Sequence, residues 1–390
     1  MLVLRQAGLL SRIAHGEPAE PGPRGGCRKP PSGAERRNNV LPLRVVRTSC
    51  VVYLGILKTH GVGSMRVAQF SEFGGPQALR LEETAEPVPG PNDILIKVTA
   101  VGLNFFDTLI LRNQYQVTPP LPFSPGAEVA GTVQGLGANV AEFKIGQRVV
   151  AFIGGNGCRE LVVTKAKNAV PIPGNVSDEA AAGIPITYGT AIHGLKDRAN
   201  LKEGETVAVL GAAGGAGLAA IEIAKLMGAR VIAVASTGDK LAFAREHGAD
   251  EGINYESEDL KARLKALTVP KGVDVLYDTV GGSHAEPSLR AMAWEGRYLV
   301  LGFASGTIPK IPLNLLLLKG CSMIGVFWTA FVERNPEQHR ANMVQLLDWC
   351  NEGLITPHIH ASFALVETAK ALSLIEARKV TGKVIVNPQR

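Results

Sequence analysis

The chain has 390 residues, enough for two or three domains of ordinary size. Hydrophobic residues make up 46% and charged residues 19%, which excludes a disordered protein. The net charge of +6 sits at one end: residues 1–65 hold ten Lys or Arg against three acids, so the remainder is −1 and has no electrostatic footprint for nucleic acid.

Residues 1–64 read as a leader. Met1 to Ala14 is short, apolar and basic, with Arg5, Arg12 and no acid, and Glu17 to Arg37 is dense in Pro, Gly and Arg. An Arg-rich, acid-poor start resembles a mitochondrial transit segment. The other reading is a plain extension ahead of Met65, with the protein in the cytoplasm. Thr48 to Leu57 is apolar but only ten residues long, too short to span a bilayer, so no membrane partner is expected.

From Met65 the pattern is β-rich, with strands expected at Ile94–Val101, Glu128–Val133 and Gln147–Phe152. After Thr187 strands and helices alternate. Thr206–Leu210, Arg230–Ala235, Gly252–Asn254, Val273–Tyr277 and Arg297–Gly302 read as strands; helices are expected from Gly217, Asp239 and Leu260. That alternation predicts βαβ units and a parallel sheet. Helices over Arg340–Cys350 and Glu367–Ala377 precede a last strand, Lys383–Val386. The expected fold class is α/β: a doubly wound Rossmann sheet over 191–330, and a β-rich substrate domain over 65–190 to which 331–390 returns.

The five cysteines, Cys27, Cys50, Cys158, Cys321 and Cys350, are scattered and form no CxxC. That excludes a disulfide scaffold and a cysteine-rich zinc site, and fits a reducing compartment.

The chemistry-bearing motif is Gly211-Ala-Ala-Gly214-Gly215-Ala-Gly217, between a buried strand and a helix. As a dinucleotide fingerprint, Ala212 takes the first small position. Gly214 leaves room for a pyrophosphate beside Gly215, and Gly217 lets the helix approach the sheet. The alternative is a purely structural glycine turn. An NAD site places an acid at the end of the second strand; here Ser236 replaces it, and Lys240 is close enough in sequence to meet a 2′-phosphate. The expected cofactor is NADPH. Asp239, an acid close to that strand end, counts against NADPH, though its place suggests the cap of the following helix, and the plain alternative for Lys240 is a solvated surface lysine.

The run Gly204–Lys225 (GETVAVLGAAGGAGLAAIEIAK) resembles the quinone oxidoreductase branch of the medium-chain dehydrogenase/reductase superfamily, the zeta-crystallin-like proteins. The likeness extends through the opening from Met65, Gly102-Leu-Asn104-Phe-Phe-Asp107, Pro125-Gly-Ala-Glu128-Val-Ala-Gly131, Asp278-Thr-Val-Gly-Gly282 and Gly382-Lys-Val-Ile-Val386. It implies a GroES-like substrate domain, a Rossmann domain, NADPH and a homodimer. It places Asn104 and Tyr115 at the nicotinamide and substrate as catalytic candidates, and Thr187 near the nicotinamide ribose. It sets Ser236 and Lys240 at the 2′-phosphate, Tyr255 at the adenosine, and Gly302 and Phe303 beside the nicotinamide. Plain alternatives are a helix cap for Asn104, an ordinary loop tyrosine for Tyr115 and a core position for Phe303. The chain departs from the family at Glu222, where Gln is usual, and at Cys158-Arg159, where an aromatic residue is usual.

The zinc enzymes of this superfamily need Cys and His ligands. Here Ala127-Glu128 stands where they have His-Glu, no Cys precedes Cys158 after the leader, and no four-Cys loop exists, so no metal is expected. His358 and His360 read as surface or packing residues. With no strong nucleophile motif, the expected activity is zinc-independent, NADPH-dependent reduction of a quinone or conjugated carbonyl, in which the cofactor carries the chemistry. Phe105, Phe106 and Tyr115 would form an apolar pocket for the planar substrate, with Tyr115 or solvent as proton source. The alternatives are a 2-enoyl thioester reductase and a nucleotide-binding protein with little turnover.

Overall fold

The computed structural model describes residues 63–390. The leader and its expected targeting role lie outside the described residues. Strands β1 (Ser64–Gln69) and β2 (Arg80–Ala85) form an antiparallel ribbon. Next come β3 (Asp93–Leu103), β4 (Glu128–Leu136), β5 (Arg148–Phe152), β6 (Leu161–Lys165) and β7 (Ala169–Pro171). The second half brings β8 (Thr206–Leu210), β9 (Arg230–Ala235), β10 (Glu251–Asn254), β11 (Val273–Asp278), β12 (Met292–Val300) and β13 (Ser322–Gly325). The chain closes with β14 (Ile359–Ala364) and β15 (Lys383–Asn387).

The six strands β8–β13 form one parallel sheet in the order β10-β9-β8-β11-β12-β13. This is the doubly wound order, in which the chain starts at the centre and reverses direction between β8 and β11. Val207, Ala208, Val209 and Leu210 in β8 are all buried, as a strand covered on both faces requires. The helix Gly215–Leu226 returns the chain to β9 and buries Leu218, Ala219, Ala220, Ile221 and Ile223. Its small residues let it lie close to the sheet.

The other sheet runs β14-β15-β3-β4-β5-β7, with β6 also paired to β3. The segment 331–390 divides between the two halves. Met343, Leu346 and Leu347, on the helix Pro336–Asn351, share a core with Val207 and Val231. β14, β15 and Leu372 of the helix Thr368–Glu376 pack in the other core with Ile96 and Val149. β15 is inserted against β3, with Ile385 opposite Gly102. Just before β15, Gly382 N donates to Ala213 O in the glycine loop at 3.0 Å, one of the contacts between the halves.

Candidate active site

The glycine loop leaves the carboxyl end of β8. Gly211 has φ +76, and a Cβ there would lie 2.5 Å from Thr279 Oγ1. The sharp turn is therefore made by Gly211, a position the sequence reading did not single out. Ala212, expected as the first small position, is fully buried in the core, so its methyl faces packing and not the open side of the loop. Gly217 is fixed by close approach: a Cβ there would sit 2.2 Å from Gly211 O. Gly214 differs from both. Its φ of −78° and ψ of 165° suit any residue, and the nearest atom to a Cβ, Gly211 O, is 3.5 Å away. Open space beside Gly214, next to the unpaired N–H groups of a helix start, is a cradle for an anion. The residues present fit a dinucleotide pyrophosphate.

The other cofactor candidates lie at the same carboxyl edge because the strands are parallel. Ser236 follows β9, and Lys240 Nζ donates to its Oγ at 3.4 Å. The cap of the helix Gly238–Glu246 is Thr237, whose side chain accepts from Lys240 N at 3.3 Å; Asp239, expected as the cap, stands in the first turn instead. Thr237 wins because its extended backbone points the hydroxyl at the free N–H groups. Tyr255 follows β10, is held by Tyr255 N to Ala235 O at 3.1 Å, and packs on His284 with ring centroids 4.2 Å apart. Gly302 and Phe303 follow β12. Gly302 N donates to Asp278 O, and the Phe303 ring covers Gly281, where a Cβ would lie 2.8 Å from Phe303 Cδ1.

Asn104 lies between the last residue of β3 and the helix Phe105–Leu111, and it is the cap of that helix. Its N–H donates to Asp107 Oδ2 at 2.8 Å. Its side chain is also fully directed: Nδ2 donates to Glu128 Oε1 at 2.8 Å, and Oδ1 accepts from Lys383 Nζ at 2.8 Å. Burial pushes the Asp107 carboxyl up to about 6, against two backbone N–H donors, those of Gly126 and Asn104, that pull it down. Tyr115 is half-buried against Phe106, ring centroids 5.5 Å apart. Burial, with the Asp107 carboxylate, raises its phenol, which keeps its proton at neutral pH. Thr187 is buried, and its hydroxyl donates to Gly183 O at 2.7 Å. Its methyl lies 3.2 Å from where a Cβ on Gly215 would stand, at the seam between the halves.

Glu128 and Lys383 meet beside Asn104, a connection that sequence spacing gave no means of seeing, because 255 positions separate them. Lys383 Nζ donates to Glu128 Oε1 at 2.6 Å; the side chains are 3% and 0% exposed. Glu222 is buried too, accepting from Tyr188 Oη at 2.9 Å and from Thr356 N at 3.1 Å, and it faces His247 Nδ1 at 2.8 Å. A carboxylate suits that site because three groups converge on its two oxygens. His358 packs against Phe243 and His247 rather than standing free.

A catalytic zinc does not fit these residues. Ala127 is a buried methyl, and both Glu128 oxygens are engaged, one by an ammonium and an amide, the other by Ile186 N at 2.7 Å. The thiol of Cys158 is buried and pushed well above its usual range by that burial. Among the described residues no group of three His, Cys, Asp or Glu could hold a metal.

Residues 90–190 match the alcohol dehydrogenase GroES-like domain family and residues 215–349 the zinc-binding dehydrogenase family. The chain is 42% identical to quinone oxidoreductase-like protein 2 of Rattus norvegicus over 312 residues, covering 80% of this chain and 89% of the relative. The chain belongs to the quinone oxidoreductase-like family of the medium-chain dehydrogenase/reductase superfamily. It is also 32% identical to Homo sapiens quinone oxidoreductase, over 83% of this chain and 97% of that one. The structure of Escherichia coli quinone oxidoreductase, solved in complex with NADPH, superposes with a TM-score of 0.77 at 30% identity, covering 84% of this chain and all of the other. The family thus joins a GroES-like domain to a Rossmann sheet, as the resemblance implied.

Proposed function

We propose that this protein is a zinc-independent NADPH-dependent oxidoreductase that reduces quinones or related conjugated carbonyls. The observation that carries the reading is the cradle at Gly214, within one lysine's length of Asn104: the stem of Lys383 passes Gly215 and its ammonium ends on the Asn104 amide. A dinucleotide on the glycine loop and a substrate beside Asn104 are therefore neighbours. Ser236 and Lys240, with no acid at the end of β9, favour the 2′-phosphate of NADPH over the free ribose of NADH. The related Escherichia coli enzyme was solved with that cofactor.

When bound, the nicotinamide supplies the hydride or electrons. The chain's own groups orient and protonate. Phe106 and Tyr115 give an apolar wall for a planar ring. The Tyr115 phenol, held protonated, can deliver a proton to a reduced oxygen. A quinone is already a good acceptor and needs no Lewis acid, in keeping with a donor set that does not suit zinc.

The test is NADPH oxidation by the purified protein with an ortho-quinone and, separately, a crotonyl thioester. Faster turnover with the quinone is expected. Turnover of the thioester alone would favour the enoyl reductase reading, and tight binding without turnover a nucleotide-binding role. Failure to bind either reduced pyridine dinucleotide would overturn the proposal.

We infer a homodimer as well. β13 is an outer strand of the parallel sheet, and Ile308, Leu313, Leu317 and Leu318, in the segment of chain that leads to it, are exposed. An open strand edge flanked by apolar side chains favours pairing with a second copy. Light scattering should give twice the chain mass, and Leu317→Glu with Leu318→Glu should give the monomer; a monomeric wild type would refute it. Among the described residues no helix is long and apolar enough to cross a membrane.

A further inference from the structure

One buried ion pair ties the cofactor loop to the substrate side, and its geometry is more specific than packing requires. The Lys383 ammonium has three donors and meets three acceptors: Glu128 Oε1 at 2.6 Å, Asn104 Oδ1 at 2.8 Å and Leu103 O at 3.0 Å. Asn104 is held at both ends, its carbonyl by the ammonium and its amino group by Glu128. The amide therefore has one orientation, since turning it over would set its N–H groups against the ammonium and its oxygen against the carboxylate.

The backbone beneath Lys383 is equally constrained. Gly382 N donates to Ala213 O at 3.0 Å, inside the glycine loop, and Lys383 N donates to His358 O at 2.8 Å. Gly382 has φ +72 and no room for a side chain, since a Cβ would lie 2.4 Å from His358 O. The Lys383 stem then runs past the start of the loop helix, its Cδ 3.2 Å from the place of a Gly215 Cβ. Gly382, the buried Lys383 side chain and the Asn104 amide thus form one continuous run of contacts leading from the glycine loop. Replacing a buried ion pair by apolar groups of like volume is often neutral for stability. What the charges supply here is direction.

We propose that Lys383 is a positioning residue for the reductase reaction, holding the Asn104 amide, directly and through Glu128, in register with the loop that seats the cofactor. The inference deepens the NADPH-dependent reductase reading and rests on it. Wild-type NADPH binding and quinone turnover are therefore measured first, and their absence overturns the parent reading and this one with it.

Lys383→Met alone strands a buried carboxylate and risks unfolding, so the test uses Lys383→Met with Glu128→Gln, which removes both charges at nearly constant volume. The paired variant is expected to melt within a few degrees of wild type and to keep its NADPH dissociation constant within about threefold. Its kcat for the quinone should fall by tenfold or more, with KM for NADPH little changed. Since Lys383 acts through Asn104, adding Asn104→Ala to the pair should cost nothing beyond Asn104→Ala alone. A fall in kcat of less than tenfold, or losses that multiply when Asn104→Ala is added, would overturn the inference. An unfolded paired variant would overturn it too, by showing that the pair serves folding.

Discussion

The two outer glycines of the loop helix are predicted to fail in opposite ways. In Gly217→Ala the new methyl would lie 2.2 Å from the Gly211 carbonyl oxygen and 2.8 Å from Ala212 Cα, both backbone atoms. A comfortable C···O approach is ~3.3 Å, so the helix must shift by about 1 Å from the sheet. Overpacking of this kind costs ~1–3 kcal/mol and more when the obstacle is backbone, so a loss of about 3 kcal/mol and a fall in Tm of roughly 6–12 °C are expected. In Gly214→Ala the methyl meets nothing closer than 3.5 Å, at a backbone conformation alanine accepts. Stability should hold or rise by ~0.4–1 kcal/mol. The same methyl fills the space meant for the pyrophosphate and takes away hydrogen bonds to a charged group, worth ~1.5–3 kcal/mol, so NADPH should bind roughly ten- to a hundredfold more weakly. Thermal melts without ligand and fluorescence titration with NADPH separate the two effects. A Gly214→Ala protein that binds NADPH like wild type would refute the cradle, and a Gly217→Ala protein as stable as wild type would refute the packing argument.

Lys240→Ala should weaken NADPH by ~1.5–3 kcal/mol and leave NADH nearly unchanged; equal losses for both would remove Lys240 from the 2′-phosphate. Two buried groups should give the stability curve opposing slopes in mild acid. His339 is buried beside Trp328, and burial lowers its pKa from 6.5 to about 4. The unfolded chain takes up that proton first, so the native state loses ~3 kcal/mol as pH falls from 6.5 to 4. Asp107, raised by burial from 3.8 to about 6, does the reverse: the native state holds its proton more tightly and gains ~3 kcal/mol as pH falls through the range from 6 to 3.8. Denaturation at pH 7 and pH 4 should therefore show His339→Phe gaining on wild type by ~3 kcal/mol on acidification and Asp107→Asn losing by a similar amount. Differences independent of pH would refute both assignments.

Local pattern alone was enough for five of the six strands of the parallel sheet, through apolar runs such as TVAVL in β8 alternating with helices, but not for β13, whose four residues are too short a run to stand out. The glycine loop was legible for the same reason: strand, turn and helix are contiguous, so the chemistry of Gly214 and Gly217 follows from their neighbours in the chain. Ser236 and Lys240 are four residues apart, close enough to be paired from the sequence, although Ser236 lies before the Thr237 cap and outside the helix. Even so, local spacing misjudged Asp239, because choosing between two adjacent capping candidates needs the backbone angles at Thr237.

What the amino-acid order could not disclose is how distant segments share one charge. β14 and β15 lie beyond the whole nucleotide sheet, yet β15 pairs with β3 and carries Lys383 to Glu128 and Asn104. Seen in the sequence, Lys383 is a cation at the start of a terminal strand and Glu128 a carboxylate at the start of another. Only the folded chain takes both out of water, and a charge withdrawn from water must find its partner wherever the topology puts one. Local order thus determined most of the elements and the glycine loop, while the tertiary pairing decided which buried side chains meet and what holds them there.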